Sequence, residues 1–228
     1  MKPNLYFVVD IETTMRHRMT FDVAWSVIDK HGNQYGKGSY IVLEAFQYDV
    51  PFFKEKLGFY FSDTYRHMIE PKSMNEIRDL FNAQVDNFKA LGHKVYFCAY
   101  NVAFDAKYLG ESCETFAGTK FLAVPIDGIF DIWYNWGMNV PLNYFLMAAK
   151  TDKGNYKTSA EWAYRYENQD ENFIEAHIAW QDVVIETKIL TKTLARKKKM
   201  YIAQNKSEIK GNVWRLINNR APERQLAA

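Results

Sequence analysis

The sequence is poor in cysteine and has no long apolar run. Its 228 residues include two cysteines, Cys98 and Cys113, which are too few for a disulfide framework and lack the spacing of a zinc site. The apolar stretch from Leu5 to Val9 is interrupted by Asp10, so it is neither a signal-peptide core nor a membrane anchor. We therefore expect a cytoplasmic protein that makes no membrane contact and keeps both cysteines reduced.

The common glycine-rich phosphate-binding motifs are also missing. The chain contains neither G-x-x-x-x-G-K-[ST] nor G-x-G-x-x-G, so the P-loop and dinucleotide-binding interpretations lose their usual support. Internal repeats and low-complexity linkers are absent as well. With 48% apolar residues and a net charge of +2, the chain is not disordered, and its length suits one sizeable core.

The charge is distributed unevenly along the chain. Residues 191–228 carry ten Lys or Arg and two acidic residues, a net charge of +8, whereas residues 1–190 carry −6. Two interpretations of this basic segment remain open. Clustered cations bind phosphate groups and release counterions, which indicates a polyanionic partner. Cations near a helix end also interact favourably with the helix dipole, which would make the segment an ordinary solvated helix end.

The apolar pattern predicts an α/β fold. A capping box at Ser73 and Glu76 predicts the start of a helix that ends at Gly92. Further helices are predicted from about Phe104 and within about 173–199. This order of elements favours a mixed central sheet of about five strands flanked by helices. The five predicted strands are 5–11, 22–29, a segment near Gly36 and Gly38 that ends at 43, then 94–100 and 125–132.

The end of the first strand carries a pair of carboxylates. Side chains alternate across a strand, so Asp10 and Glu12 point to one face while Val9 and Ile11 point to the other. Two carboxylates on one face repel each other unless a cation lies between them, and Mg²⁺ prefers oxygen ligands. The pair is therefore a candidate half of a metal site. The alternative is an exposed strand end with solvated acids.

Asn101 and Asp105 follow the strand at 94–100 and form the second candidate. Asn101 can cap the next helix or order the turn, and Asp105 falls in the first turn of that helix. Taken alone, the pair is better explained by capping, together with a favourable interaction between Asp105 and the helix dipole, than by a catalytic role.

His177 and Asp182 form the third candidate. Residues five positions apart do not share one face of a helix, so the two side chains converge only if His177 lies at or before the helix start. A second His-x₄-Asp, from His17 to Asp22, shows that this spacing is weak when taken alone. That copy lies between the first two predicted strands, with no helix to hold it.

In their order along the chain, the three motifs resemble those of the DEDDh group of 3′–5′ exonucleases, the superfamily of polymerase proofreading subunits and RNase T. The matching segments are VVDIETT, YNVAFD and HIAWQD. The resemblance implies an RNase H-like fold in a domain at 1–195, followed by a basic C-terminal extension at 196–228. Tyr100 stands where many members have histidine, and the aromatic segment 45–72 does not align with the family.

The resemblance also implies a role for each candidate. His177 would accept a proton from the attacking water, and a nucleoside 5′-monophosphate would leave from the 3′ end of single-stranded DNA or RNA. Four carboxylates would together hold two Mg²⁺ or Mn²⁺ ions: Asp10, Glu12, Asp105 and Asp182. Four residues are expected to contact the terminal nucleotide: Thr13, Thr14, Asn101 and Phe104. Phe104 suits burial in the core about as well.

Two other functions remain open at this point. An accessory or proofreading subunit would act mainly through a polymerase or another replication protein bound by the basic C-terminal extension. A non-catalytic nucleic-acid-binding relative is disfavoured because all five site positions are present. We therefore predict a 3′–5′ exonuclease. The sequence does not decide between DNA and RNA, because no motif reports on the 2′-hydroxyl, nor between a monomer and a homodimer.

Overall fold

A computed structural model describes residues 2–52, 54–60, 62 and 70–222. The strands are β1 (Leu5–Thr13), β2 (Thr20–Ile28), β3 (Gln34–Val42), β4 (Glu70–Lys72), β5 (Val95–Ala99) and β6 (Gly128–Asp131). The α-helices are α1 (Ala45–Tyr48), α2 (Leu57–Tyr60), α3 (Met74–Ala90), α4 (Val102–Ala117), α5 (Ile132–Asn139), α6 (Tyr144–Met147), α7 (Ala160–Asn168), α8 (Ala179–Ala195) and α9 (Val213–Asn218). Short 3₁₀ helices lie at Lys54–Lys56 and Lys206–Glu208.

The strands form one mixed sheet in the order β4-β3-β2-β1-β5-β6. β1 lies near the middle, antiparallel to β2 and parallel to β5. The meander continues from β2 to an antiparallel β3, while β4 and β6 join the two edges in parallel. The predicted α/β class with a mixed, helix-flanked sheet is confirmed. The described residues form six strands rather than about five, because the three-residue β4 carries no apolar alternation that a sequence pattern would detect.

The alternating side chains of β1 enter two separate cores. Phe7 and Val9 pack in the core that contains the apolar side chains of α3 and α4, whereas Tyr6 and Val8 pack with those of α5 and α8. The side chains of Asp10 and Glu12 lie on the same face of β1 as those of Tyr6 and Val8, nearer the end of the strand. The alternation in the sequence therefore directs both carboxylates to the side of the sheet that α8 covers.

The predicted capping box at the start of α3 is confirmed. The backbone N–H of Glu76 donates to Ser73 Oγ at 3.3 Å, and the backbone N–H of Ser73 donates to Glu76 Oε2 at 2.9 Å. At the other end, Gly92 has a positive φ of 84°, a conformation that glycine adopts without steric cost. The helix therefore has the two ends that its sequence predicts.

Other boundaries differ from the predictions. The long helix predicted within 173–199 is α8, which begins only at Ala179, and the strand predicted at 125–132 is limited to four residues. β6 ends early because Asp131 caps α5, its Oδ1 accepting a hydrogen bond from the backbone N–H of Tyr134 at 2.8 Å. The helix predicted from about Phe104 begins two residues earlier, at Val102, and is sixteen residues long.

The described part of the basic C-terminal extension packs against the domain. Ala203 forms a β-bridge with Ile129, Ile217 is fully buried, and the Arg220 guanidinium donates to the carbonyl oxygen of Val140 at 2.9 Å. The division of the chain at residue 195 and the binding of a partner protein by the extension stay predictions. Within the described ranges, no helix has the length and apolar character needed to cross a bilayer.

Candidate active site

Asp10 and Glu12 lie near the carboxyl end of β1, close to the middle of the sheet. Glu12 is 7% exposed and is the cross-strand partner of Asp22 on β2. Asp10 is partly exposed, although its Oδ2 atom is buried. The structure therefore does not match the alternative of a strand end with solvated acids.

Asn101 and Asp105 are placed by the turn between β5 and α4. Asn101 adopts a left-handed conformation, with φ of 72°, and its side chain makes no capping hydrogen bond. Asparagine is one of the few residues that adopt this conformation readily, so Asn101 orders the turn rather than capping the helix. As a result α4 begins at Val102, and Asp105 lies in its first turn with 3% exposure.

His177 and Asp182 come together although five positions separate them. His177 lies two residues before α8, where its backbone is left-handed with φ of 53°, and Asp182 lies in the first turn of the helix. One ligating atom from each of Glu12, His177 and Asp182 lies within 4.8 Å of the other two. Since His177 precedes the helix, the geometric condition set by the spacing is met.

One pocket of about 440 Å³ collects most of these side chains. The predicted site residues that line it are Asp10, Glu12, Thr13, Asn101, Phe104, His177 and Asp182. Asp105 is not part of the lining, but its charge acts on both Asp10 and Glu12. Thr14 is also outside the lining, because it is fully buried and its hydroxyl accepts a hydrogen bond from the Met19 backbone N–H at 3.0 Å.

The acids of the pocket are strongly perturbed. Burial is the largest cause that raises the pKa of Asp10, Glu12, Asp105 and Asp182 well above the usual range. Repulsion adds to burial at each of them: Asp182 is the strongest repulsive neighbour of Glu12, and Glu175 is that of Asp182. In the absence of positive charge, the pocket therefore disfavours the ionised form of its own carboxylates.

Two carboxylate oxygens show what the pocket lacks. Among the described residues, neither Asp10 Oδ2 nor Asp182 Oδ1 has a hydrogen-bond partner, and both atoms are buried. A buried polar oxygen without a donor is costly. Carboxylate oxygens with one nearby imidazole are a donor set that suits Mg²⁺ or Mn²⁺. The residues present therefore fit the divalent ions that the resemblance implies.

Sequence reasoning missed three further acids, one of which is Glu175 in the lining of the pocket. Glu186 lies on α8 one turn after Asp182 and lines the pocket, a position that the spacing of four residues could have indicated. Asp22 is fully buried, and its Oδ2 accepts a hydrogen bond from the Ala179 backbone N–H at 3.1 Å. Burial raises the pKa of Asp22 to about 7. Asp22 therefore anchors the start of α8 beside Glu12.

An aromatic wall faces the acids. The rings of Tyr100 and Trp133 stack with centroids 5.9 Å apart and an interplanar angle of 21°. On another part of the pocket, the Arg18 guanidinium carbon lies 4.4 Å from the centroid of the Phe52 ring, and all four side chains line the cavity. Flat rings and a guanidinium are groups that stack on bases or bind phosphates.

Comparisons with known proteins agree with this geometry at the level of the fold. No protein-family model and no curated protein matches the sequence. Among solved structures, the chain is similar to one described as 3′-end-specific recognition of a histone mRNA stem-loop by a 3′-exonuclease. The TM-score is 0.58 at 12% identity, over 88% of this chain and 66% of that one. A full-length 3′-exonuclease matches with a TM-score of 0.58 and 12% identity, over 89% of this chain and 86% of that one.

These likenesses identify the class of fold. The six-stranded mixed sheet with flanking helices is the RNase H-like fold of 3′-exonucleases, and the fold predicted from the three motifs is confirmed. Fold alone does not define a reaction. Any catalytic activity must therefore be inferred from the pocket and its residues.

Proposed function

We propose that this protein is a metal-dependent 3′–5′ exonuclease that hydrolyses single-stranded DNA or RNA from the 3′ end. The observation that carries the proposal is the cluster of buried carboxylate oxygens without hydrogen-bond donors beside a histidine. When the acids of such a cluster are ionised, bound cations compensate for their charge. An RNase H-like fold that resembles two 3′-exonucleases supports the choice of reaction.

The four acids Asp10, Glu12, Asp105 and Asp182 are the residues proposed to hold two Mg²⁺ or Mn²⁺ ions. When bound, such ions neutralise the phosphate and lower the pKa of a bound water. Asp105 is held in place by the first turn of α4 and Asp182 by the first turn of α8, so the ligand set comes from rigid elements rather than from loops. Rigid placement keeps mutually repelling charges at fixed positions before substrate arrives.

His177 is proposed to accept the proton of the attacking water. One of its ring nitrogens lies within 4.8 Å of a carboxylate oxygen of Glu12 and of Asp182, which places it at the edge of the acid cluster. Histidine is the usual proton acceptor for such a reaction near neutral pH. The segment before α8 is fixed by the hydrogen bond from Ala179 to Asp22, so the imidazole is held toward the pocket.

The terminal nucleotide is proposed to lie between the acids and the aromatic wall. Thr13, Asn101 and Phe104 line the pocket next to the carboxylates and are proposed to contact the sugar and base. The buried side chain of Thr14 instead supports the turn that follows β1. The stacked Tyr100 and Trp133 offer a platform for an unpaired base, which favours a single-stranded end.

The direct test is hydrolysis of matched single-stranded DNA and RNA carrying a 5′ label, with Mg²⁺, Mn²⁺ or EDTA. The wild-type protein is expected to shorten the labelled strand stepwise from its 3′ end, only with a divalent metal. Asp10→Asn is expected to lower the rate about 1,000-fold, since it removes a proposed metal ligand. The faster substrate then defines the preferred nucleic acid.

Asp86→Asn is the matched control, because Asp86 is an exposed acid on α3 outside the pocket. It makes the same chemical change and is expected to keep wild-type activity. Absence of shortening for both strands with either metal would refute the exonuclease proposal. Equal activity of Asp10→Asn and the wild type would refute the assigned site.

A further inference from the structure

Glu186 is an acid of the pocket that the proposed reaction leaves without a role. It lies on α8, one helical turn after Asp182, and is 2% exposed. A buried carboxylate is costly unless donors or a cation compensate for its charge. Its position at the wall of the pocket therefore needs an explanation beyond packing.

One backbone donor fixes the direction of Glu186. The backbone N–H of Tyr100 donates to Glu186 Oε2 at 3.1 Å, which joins α8 to the residue that follows β5. A single amide does not compensate a buried charge among other acids. Among the side chains that line this described pocket, only Arg18 and His177 are basic, and Arg18 stacks on Phe52.

The acids around Glu186 are those proposed to bind metal. Glu186 lies one helical turn after Asp182 and lines the same pocket as Asp10 and Glu12. It is the strongest repulsive neighbour of Asp10, and its own strongest repulsive neighbours are Asp105 and then Asp182. Glu186 therefore belongs to the same acid cluster.

A second observation indicates that a ligand belongs among these acids. Asp182 is 4% exposed, and in the described part of the chain its buried Oδ1 has no hydrogen-bond partner. Asp10 Oδ2, in the same pocket, is also buried without a partner. Oxygens that are buried, negatively charged and without donors are the ligands of a hard divalent cation.

We propose that Glu186 is a fifth carboxylate of the metal site and contributes to one of its two cations. The Tyr100 amide orients it by occupying one oxygen. This inference rests on the proposed function, because it requires that the pocket bind divalent metal. It adds to the four predicted acids a ligand that none of the three sequence motifs contains.

The test is a Mn²⁺ titration of the metal-free protein, in which electron paramagnetic resonance measures the unbound ion. Glu186→Gln keeps an oxygen that accepts the Tyr100 hydrogen bond but removes the charge. It is expected to weaken binding of one Mn²⁺ about 10- to 100-fold while the other ion binds as in the wild type. Glu111→Gln, an exposed position on α4, makes the same change in net charge and is expected to leave both affinities unchanged.

Three outcomes separate this inference from the proposed function. Binding of two Mn²⁺ ions by Glu186→Gln with wild-type affinities overturns the inference. If Asp10→Asn loses Mn²⁺ in that same series, the proposed metal site survives without Glu186. If the wild type itself binds no Mn²⁺, both the inference and the proposed metal site are overturned.

A folding defect is separated by thermal unfolding in EDTA. Because Glu186→Gln removes one of several mutually repelling charges, its metal-free form is expected to unfold at or above the wild-type temperature. Glu186→Asp retains the charge on a shorter side chain and is expected to bind the affected Mn²⁺ more tightly than Glu186→Gln. Equal weakening by the Asp and Gln variants, with lowered unfolding temperatures for both, would assign Glu186 a structural role and overturn the inference.

Discussion

Two buried acids at opposite ends of β2 behave in opposite ways. Asp29 directly follows the strand, in the turn that leads to β3, and is 4% exposed. Asp22 lies near the beginning of the same strand and is fully buried. Burial acts to raise the pKa at both positions, but hydrogen bonds reverse the shift at Asp29, whereas the pKa of Asp22 remains raised, at about 7.

The turn supplies the Asp29 carboxylate with donors. The backbone N–H groups of His31 and Asn33 lie 2.8 and 3.1 Å from Asp29 Oδ1, and Asn33 Nδ2 lies 2.9 Å from Oδ2. Hydrogen bonds to the charged form favour ionisation. Asp29 therefore stays charged without any cation, and its charge stabilises the turn.

The pocket concentrates acids instead of donors. Asp10 and Asp182 each have a buried oxygen without a hydrogen-bond partner in the described ranges, and each is repelled by neighbouring carboxylates. The difference between the two regions is thus the supply of positive charge or donors rather than the burial itself. The turn supplies its carboxylate with donors from the protein alone, whereas the proposed cations would supply the missing positive charge in the pocket.

The largest expected effect that tests this comparison is on hydrolysis. Asp182→Asn is expected to lower the exonuclease rate about 1,000-fold, which corresponds to about 4 kcal/mol of transition-state stabilisation. Asp29→Asn, the same substitution at a buried acid, is expected to keep the wild-type rate. Initial rates on a 5′-labelled single strand with Mn²⁺ measure both. A similar loss of rate in the two variants would show that the turn and the pocket are not functionally distinct.

The next effect is on the pH dependence of stability. Burial raises the pKa of Asp22, Asp131 and Glu175 to about 7, whereas carboxyl groups in an unfolded chain titrate near about 4. Between these values the folded state retains protons that the unfolded chain releases. The free energy of unfolding of the metal-free protein is therefore expected to fall as the pH rises from about 4 to about 7.

Thermal unfolding in EDTA between pH 5 and pH 8 measures this dependence. Added Mn²⁺ is expected to raise the unfolding temperature most at pH 8, where the acids are ionised. At 100 times its dissociation constant, a single ion contributes about 2.7 kcal/mol. A metal-free protein that becomes more stable toward pH 8, or a Mn²⁺ effect that is largest at pH 5, would contradict this account of the pocket.

The sequence predicted those parts of the molecule that depend on local patterns. The alternation along β1 placed Asp10 and Glu12 on one face, and the capping box at Ser73 marked the start of α3. His177 lies close to Asp182 because α8 begins after His177. The spacing of five residues predicted only that the two side chains could converge if His177 lay at or before the helix start. A left-handed residue before the helix satisfies that condition. Histidine is enriched among the non-glycine residues in this conformation, but the conformation is too rare to be assigned to one histidine from the sequence.

Long-range pairing limited the rest of the prediction. In the sequence, Asp22 stood out only as part of a second His-x₄-Asp pattern, which carries little weight alone. The register between β1 and β2 pairs Asp22 with Glu12 and so places it at the site. Glu186 lies in a segment whose apolar pattern predicts a helix, but its burial depends on the approach of Tyr100 from β5. The fold prediction succeeded because periodicity is local, whereas the composition of the acid cluster depends on tertiary packing.

The smallest expected effect is on the stability of the turn. Asp29→Asn leaves one acceptor oxygen where the carboxylate had two, so it is expected to lower the free energy of unfolding by about 1–3 kcal/mol. Because the pKa of Asp29 is lowered in the folded protein, this loss is present at neutral pH and diminishes as the pH falls through the folded pKa. Urea unfolding at pH 7 and at pH 3, with the exposed Asp86→Asn as reference, measures the change. If Asp29→Asn loses as much unfolding free energy at pH 3 as at pH 7, the side chain of Asp29 stabilises the turn through its geometry and not through its charge. The turn and the pocket would then not differ in how they compensate a buried charge.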